Sequence, residues 1–275
     1  MIFYTFFQNG LGQQRFGIEN TVEELYNYYL DKKPNTRFIE NTLSLENNLT
    51  KLYFENSNII ELKNNININI GGDHSMAIGS IAASLNVYGL GLKVIWIDAH
   101  ADINTKSSSP SGNVHGMPLS FLTGLESDHN YNFINTKLSF ENIFYIGIRD
   151  LDDLEVETIE KFHIKKVLSE DFNNSNYDVT SDIIDWIGDS PVHLSIDVDG
   201  LDPVYMEYTG TKVPNGLELP KLIDFLNQLV SKKNIVNVDI TELNLFNPEC
   251  DENLLNKQIS FESFDQIFET IDKNL

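Results

Sequence analysis

The stretch IWIDAHADIN, residues 95–104, decides how the rest of the chain is interpreted. Together with Val94, its first residues form the run Val94–Ile97, whose β-branched and aromatic composition predicts a buried strand. The run leads directly into Asp98, His100 and Asp102, which alternate and therefore lie on one side of an extended chain. Two carboxylates crowded at the end of a buried strand repel each other, and this arrangement requires a compensating positive charge.

Apolar runs of similar length recur along the chain. Besides Val94–Ile97 they are Ile2–Phe7, Ile66–Ile70, Ile143–Ile148, Val192–Ile196 and Ile235–Ile240. They are mostly continuous rather than alternating, as expected for strands that are covered on both faces. Segments with helical spacing lie between or after them: Ser75–Leu85, Pro220–Leu229 and Phe261–Ile271. The pattern predicts an α/β fold, a doubly wound, mostly parallel sheet with helices on both faces.

Length, charge and cysteine content limit the number of domains, the partners and the cellular compartment that we expect for this chain. The chain has 275 residues and no evident linker, so we predict a single domain over residues 1–275. Its 19 basic and 41 acidic residues give a net charge of −22, which excludes nucleic acid and anionic membranes as partners. Because Cys250 is the single cysteine and the beginning MIFYTFFQNG lacks a basic region and a cleavage site, we expect a cytoplasmic protein. We attribute asparagine-rich stretches such as NNININI to compositional bias rather than to a structural role.

Polar residues follow four of the predicted strands at the point where each strand ends. Gly71–His74 follows one strand, Asp98–Asp102 a second, Asp197–Asp199 a third, and Glu242 a fourth. In open α/β sheets ligands bind beyond the carboxyl ends of the strands, where the loops converge. We therefore expect these groups to meet at one rim of the sheet.

The groups at that rim include four carboxylates and two imidazoles. They are His74, Asp98, His100, Asp102, Asp197 and Asp199. Six side chains exceed the needs of one tetrahedral site, and a carboxylate-rich set without thiolates favours harder ions than structural zinc. The residues thus predict two divalent cations that share some carboxylates. Mn²⁺ suits this donor set best, Fe²⁺, Co²⁺ and Ni²⁺ are alternatives, and two such ions close together activate water for hydrolysis.

Each motif taken singly has a plainer interpretation. The Gly71–Ser75 segment is also typical of a strand-to-helix turn, and the acidic segment 98–102 of a solvated loop. The segment SIDVDGLDP, residues 195–203, approaches a calcium-binding loop but lacks the spaced acceptors and the closing glutamate. Because all three occur at successive strand ends, we favour the metal site.

The motifs resemble, in order and approximate spacing, those of the ureohydrolase family. They are GGDHSMAIGS, WIDAHADINT, SGNVHGMPLSF, SIDVDGLDPVY and the TEL around Glu242, and SGNVHG after DAHADIN resembles arginases in particular. The resemblance extends from about Gly10 to Asn247. It implies an arginase-like three-layer fold, two Mn²⁺ ions per subunit, and hydrolysis of L-arginine to L-ornithine and urea.

The resemblance also implies a role for each matching residue. One metal takes His74, Asp98, Asp102 and Asp197, and the second takes His100, Asp98, Asp197 and Asp199, with Asp98 and Asp197 bridging. A hydroxide between the metals attacks the guanidinium carbon, Asp102 accepts its hydrogen bond, His115 shuttles protons, and Glu242 faces the guanidinium group. The resemblance further implies that Asn104, Ser111 and Asn113 contact the α-carboxylate of the substrate. It places Asp152 and Glu155 around the α-amino group and Thr211 near the guanidinium.

Two of the chain's departures from the family pattern bear on its expected function. Asp153 and Leu154 stand where proline and glycine are common, which leaves recognition of the α-amino group open. The tail is short, and although the family implies a homotrimer or homohexamer, the number of subunits stays open. Two other functions remain to be separated: hydrolysis of agmatine or another guanidino compound, and a catalytically silent binding subunit.

Overall fold

The computed structural model describes residues 1–174, 178–250 and 253–275. Within them, the strands are β1 Ile2–Phe7, β2 Thr36–Ile39, β3 Ile66–Gly71, β4 Lys93–Ile97, β5 Ile143–Ile146, β6 Lys165–Val167, β7 Val192–Asp197 and β8 Ile235–Thr241. They form one sheet in the order β2-β1-β3-β8-β7-β4-β5-β6, in which every pair of neighbours is parallel. The predicted doubly wound α/β fold is confirmed, and the described sheet is parallel throughout.

Helices connect the strands and cover both faces of the sheet. In the same described ranges they are α1 Ile18–Tyr29, α2 Leu45–Ile60, α3 Ala77–Tyr88, α4 Pro118–Thr123, α5 Asp153–Lys161, α6 Ser169–Asn173, α7 Val179–Ile187, α8 Leu219–Lys232 and α9 Leu254–Asn274. The three predicted helical segments lie within or overlap α3, α8 and α9. Among the described helices, none has the length and apolar character needed to cross a bilayer.

The sequence patterns did not reveal the two outermost strands, β2 and β6. Strand β2 has four residues and β6 has three, and β6 begins with two exposed lysines, Lys165 and Lys166. Short, charged strands are typical of sheet edges, where they discourage pairing with other chains. Such strands lack the apolar run from which the inner strands were predicted.

Alternate side chains of the inner strands enter two separate cores. Ile68, Ile196 and Ile240 pack in one core with helices α1, α8 and α9, whereas Val94 and Trp96 pack in the other with α2, α3 and α4. This division makes the fold three layers deep, with the sheet in the middle. Because the inner strands are buried on both faces, their sequences are mostly continuous apolar runs.

The asparagines of β3 correct our attribution of NNININI to compositional bias. Ile68 and Ile70 face one core, while Asn67 and Asn69 point to the opposite face and are fully buried. Both asparagines donate a hydrogen bond to Oδ1 of Asn56 on α2, at 3.1 Å each. The alternation therefore places a polar network between the sheet and its covering helices.

The strand order explains how distant motifs meet. Strands β3, β8, β7 and β4 are consecutive neighbours, and each ends in one of the polar motifs. Short 3₁₀ turns follow two of them, at His74–Met76 and Val198–Gly200. All four carboxyl ends therefore deliver side chains to the same rim.

Candidate active site

His74 lies at the centre of the first group of charged side chains. Its Nδ1 is 3.1 Å from Oδ2 of Asp98, 3.1 Å from Oδ2 of Asp102 and 3.3 Å from Oδ2 of Asp197. The histidine is fully buried, and its ring stacks on Trp96 with centroids 4.1 Å apart. Nε2 lies 2.9 Å from Oγ of Ser195.

The environment of His74 fits a metal cation. When the ring is neutral and Nε2 donates to the Ser195 hydroxyl, the lone pair of Nδ1 is directed toward three carboxylate oxygens, where a cation can accept it. Nδ1 is buried and makes no hydrogen bond of acceptable geometry in the structure. A divalent cation among these atoms satisfies the lone pair and the anionic oxygens together, as in histidine–carboxylate metal sites.

A second group surrounds His100. Its Nδ1 is 3.2 Å from Oδ2 of Asp199 and 3.4 Å from Oδ1 of Asp98. Two sets of potential ligand atoms result, His74–Asp98–Asp197 and Asp98–His100–Asp199, which share Asp98. The donor set of carboxylates and imidazoles suits divalent ions such as Mn²⁺ better than a structural zinc site.

Burial and mutual repulsion favour the protonated forms of two of the carboxylates when no cation is bound. Burial and the charges of Asp199 and Asp98 raise the pKa of Asp197 well above its ordinary value, and burial and the charge of Asp98 raise the pKa of Asp102 to about 6. Burial opposes protonation of His74, but contacts with Asp102, Asp197 and Asp98 outweigh it and raise its pKa well above the ordinary value. The structure therefore brings these carboxylates as close together as the sequence indicated, and a bound cation would offset their repulsion by taking the place of protons.

Unusual backbone conformations place two of the carboxylates. Asp102 and Glu242 have positive φ angles of 49° and 68°, in the left-handed region that non-glycine residues rarely adopt. Glu242 donates its N–H to the carbonyl of Gly72 at 3.0 Å. The carbonyl oxygen of Asn9 packs against the backbone of Gly72. A Cβ atom at this position would lie 1.7 Å from that oxygen, so only glycine allows the two backbone segments to lie this close.

Glu242 is held by three hydrogen-bonding partners. Its Oε1 is 3.0 Å from Nδ1 of His115 and accepts the backbone N–H of His74 at 2.9 Å. Its Oε2 accepts a hydrogen bond from Nε2 of Gln13 at 2.9 Å. Burial opposes the charge on His115, but the bond to Glu242 and nearby carboxylates raise its pKa to about 9. Despite burial, His115 in turn holds the pKa of Glu242 below its ordinary value.

A cavity of about 140 Å³ opens over these groups. It is lined by His100, Asp102, Asn104, Ser109, Pro110, Ser111, His115, Gly116, Asp150, Asp152, Glu155, Asp197, Asp199, Thr211 and Glu242. The lining includes five of the six predicted substrate-binding residues. Asn113 is absent from it, and its backbone N–H instead donates to Oγ of Ser111 at 3.2 Å.

Several substrate-binding candidates are tied to one another. Nδ2 of Asn104 donates to Oδ2 of Asp152 at 2.7 Å. The two oxygens of Glu155 accept backbone N–H groups, from Ile103 at 3.2 Å and from Asp152 at 3.0 Å. Glu155 therefore joins the loop after β4 to the beginning of α5 and shapes the cavity wall through the backbone.

Sequence reasoning missed several residues that support the site. Gln13 and Arg15 approach from the N-terminal segment, where Arg15 donates to Oγ1 of Thr211 at 2.7 Å. Trp96 donates to Oδ2 of Asp98 at 2.9 Å. Ser195 lies two residues before Asp197 on β7, so its side chain lies on the same face of the strand. This alternation is the only feature of the sequence that points to its contact with His74. The contacts of Gln13 and Arg15 depend on the long-range fold, and local patterns cannot predict them.

The histidines that we did not assign to the site lie outside it. His193 is fully buried and bonded to Ser84 and Asp239, as expected for a hydrogen-bonded core histidine. His129 is 93% exposed and His163 is exposed.

An all-parallel sheet whose rim collects two sets of histidine and aspartate ligands is the geometry of hydrolases that use two metal ions. The sequence profile of the arginase family matches residues 19–260, and the chain belongs to this family. Arginase from Entamoeba histolytica is 36% identical over 200 residues, 71% of this chain, and arginase from Neurospora crassa is 40% identical over 209 residues, 72% of this chain.

A solved structure extends the similarity to nearly the whole chain. The crystal structure of Entamoeba histolytica arginase in complex with L-ornithine superposes with a TM-score of 0.83 and 28% identity, covering 98% of this chain and 97% of that one. In sequence, the matched part spans 67% and 58% of the Entamoeba and Neurospora relatives.

Proposed function

We propose that the chain hydrolyses L-arginine to L-ornithine and urea at a pair of divalent cations, with Mn²⁺ as the native metal. The observation that carries the proposal is Nδ1 of His74, which faces three carboxylate oxygens within 3.3 Å and makes no hydrogen bond. The names of the relatives, which are arginases, support L-arginine as the substrate.

The ligand assignment is the one that the family resemblance implies, and the two groups in the structure support it except for Asp197 at the second ion. His74, Asp98, Asp102 and Asp197 would hold one ion, and His100, Asp98, Asp197 and Asp199 the other. The close approach of Asp98 to both histidines supports a bridging role for it. When bound, the two ions would lower the pKa of water and act as Lewis acids toward the substrate.

The residues around the cavity would bind and orient the substrate. Glu242 is buried and kept ionised by His115, so it can pair with the planar guanidinium group through charge-assisted hydrogen bonds. Asp102 would accept a hydrogen bond from the attacking water. Asn104, Ser111 and Asn113 would contact the α-carboxylate, Asp152 and Glu155 would define the region of the α-amino group, and Thr211 would lie near the guanidinium.

His115 would supply the proton that the leaving group needs. In the reaction a C–O bond forms at the guanidinium carbon, the bond from that carbon to Nε of L-arginine breaks, and this nitrogen leaves as the δ-amine of L-ornithine. A pKa of about 9 keeps the imidazole protonated at neutral pH in the metal-free structure, and the ring lines the cavity. It can therefore act as a general acid and then regain its proton from solvent.

Urea release from L-arginine by the Mn²⁺-loaded protein tests the proposal. We expect turnover with L-arginine and much less with agmatine, because agmatine lacks the α-carboxylate that Asn104 and Ser111 would bind. Preferred turnover of agmatine would move the assignment to another guanidino hydrolase. Absence of turnover together with substoichiometric metal would favour a silent binding subunit.

The remaining features of the proposal concern the whole molecule. We infer a single catalytic domain over residues 1–275, a cytoplasmic location and assembly into a homotrimer or homohexamer. The single cysteine supports a reducing compartment. Light scattering of the purified protein would determine the number of subunits.

A further inference from the structure

A buried cluster of four side chains lies beneath the candidate metal site, and we call it the α3 anchor. It consists of Ser80 and Ser84 on α3, His193 on β7 and Asp239 on β8, all with no exposed surface. Ser80 Oγ donates to Oδ2 of Asp239 at 2.5 Å, and Ser84 Oγ lies 2.9 Å from Nδ1 of His193. Nε2 of His193 lies 2.9 Å from the same Oδ2 of Asp239, which links the two serines through β7 and β8.

The α3 anchor joins three elements that carry site residues. The 3₁₀ turn that holds His74 leads directly into α3. Strand β7 ends at Asp197, and β8 leads directly to Glu242. The anchor therefore fixes the helix behind His74 to the two strands that deliver the facing carboxylates.

Apolar packing alone defines the position of α3 poorly. Every residue from Ala77 to Leu85 is buried, and many of them are small, as in the segment AIGSIAAS. Hydrophobic contacts are not directional, so the small apolar side chains around Ser80 and Ser84 define the rotation of α3 less strictly than hydrogen bonds do. Hydrogen bonds have strict distance and angle requirements. The bonds of Ser80 and Ser84, one helical turn apart, therefore fix both the position of α3 along its axis and its rotation about that axis.

We propose that the α3 anchor is a positioning device for the metal site: it sets the place of His74 relative to Asp197 and thereby the affinity for metal. The inference rests on the proposed function, because it requires His74 to be a ligand. Residues that orient metal ligands from behind typically change metal affinity about 10- to 100-fold when they are removed. The effect here reaches His74 through α3, and Ser80 and Ser84 have no direct contact with the ligand atoms.

Metal titration of variants that lose the hydroxyl groups tests the inference. In Ser80→Ala, Asp239 keeps its hydrogen bonds to His193 and Asn69, which preserves folding. We expect this variant, and Ser80→Ala/Ser84→Ala more strongly, to bind Mn²⁺ measurably more weakly by calorimetry, with a loss below the about 10- to 100-fold typical of residues bonded directly to a metal ligand. Turnover should return at saturating Mn²⁺, because neither serine contacts the substrate.

Asn56→Ala is the matched control. Asn56 belongs to the same buried network, since its Oδ1 accepts a hydrogen bond from Nδ2 of Asn237 at 2.8 Å, but it lies on α2, which carries none of the candidate ligands. We expect a lower melting temperature of the metal-free protein and unchanged Mn²⁺ affinity. Equal losses of affinity in Ser80→Ala and Asn56→Ala, or an unchanged affinity in Ser80→Ala, would overturn the inference. Failure of the unmodified protein to bind Mn²⁺ would instead overturn the proposed function.

Discussion

Nδ1 of His115 lies 3.0 Å from Oε1 of Glu242, although the two residues are 127 positions apart in the sequence. The contact joins the loop after β4 to the end of β8, and it gives each residue the charge that its proposed task needs. Glu242 stays anionic to receive a guanidinium group, and His115 stays cationic to donate a proton. In the proposed reaction the pair would couple substrate binding to proton transfer.

Glu242→Gln should weaken substrate binding and leave metal binding unchanged. A charge-assisted hydrogen bond contributes about 1.5–3 kcal/mol, so kcat/KM for L-arginine should fall at least about 10- to 100-fold. Steady-state kinetics beside metal analysis measure both quantities. Glu157→Gln, an exposed position on α5, is the control and should behave like the unmodified protein. A normal kcat/KM in Glu242→Gln would refute the assigned role.

His115→Asn should change the pH dependence of stability in the metal-free protein. The folded pKa of His115 is raised from 6.5 to about 9, so the pair with Glu242 stabilises the fold fully below about pH 6.5 and loses this effect as the pH rises through 9. The melting temperature of His115→Asn should therefore lie furthest below that of the unmodified protein at pH 6.5 and approach it above pH 9. The exposed His129→Asn serves as the control. A difference that grows with pH would contradict the assignment.

Much of the fold and the site could be predicted from the sequence because inner strands and their terminal motifs are local signals. Val94–Ile97 and Asp98–Asp102 are consecutive, so strand parity alone places the acidic side chains on one side. The contact of Gln13 with Glu242 could not be predicted in this way, since it joins residues 229 positions apart. The edge strand β6 was missed for a different reason: it has three residues and no apolar run.

Gln13→Leu should weaken substrate binding without changing metal binding, and it thereby tests the role of the N-terminal segment. Leucine keeps the approximate volume but removes the donor to Oε2 of Glu242, so the carboxylate loses one of its fixed partners. We expect KM for L-arginine to rise about tenfold, the equivalent of roughly 1.4 kcal/mol, with unchanged metal content. The exposed neighbour Gln14 gives the control Gln14→Leu. Equal KM values in the two variants would show that Gln13 does not act through Glu242.

Binding of Mn²⁺ to the metal-free protein should release protons. Contacts with the surrounding aspartates outweigh burial and raise the pKa values of His74 and His100 well above the ordinary value, which favours the protonated forms of both rings in the metal-free protein. A metal ligand must present a deprotonated nitrogen, and the apparent affinity should therefore increase as the pH rises. Calorimetric titrations in buffers with different ionisation enthalpies measure the number of protons. Affinity that falls with rising pH would be inconsistent with histidine ligands.

Anomalous diffraction from a crystal soaked in Mn²⁺ tests the central claim most directly. Two peaks are expected for each chain, one among His74, Asp98, Asp102 and Asp197, and one among His100, Asp98, Asp197 and Asp199. A cavity without anomalous signal at saturating Mn²⁺ would contradict the claim that paired cations offset the charge of these carboxylates.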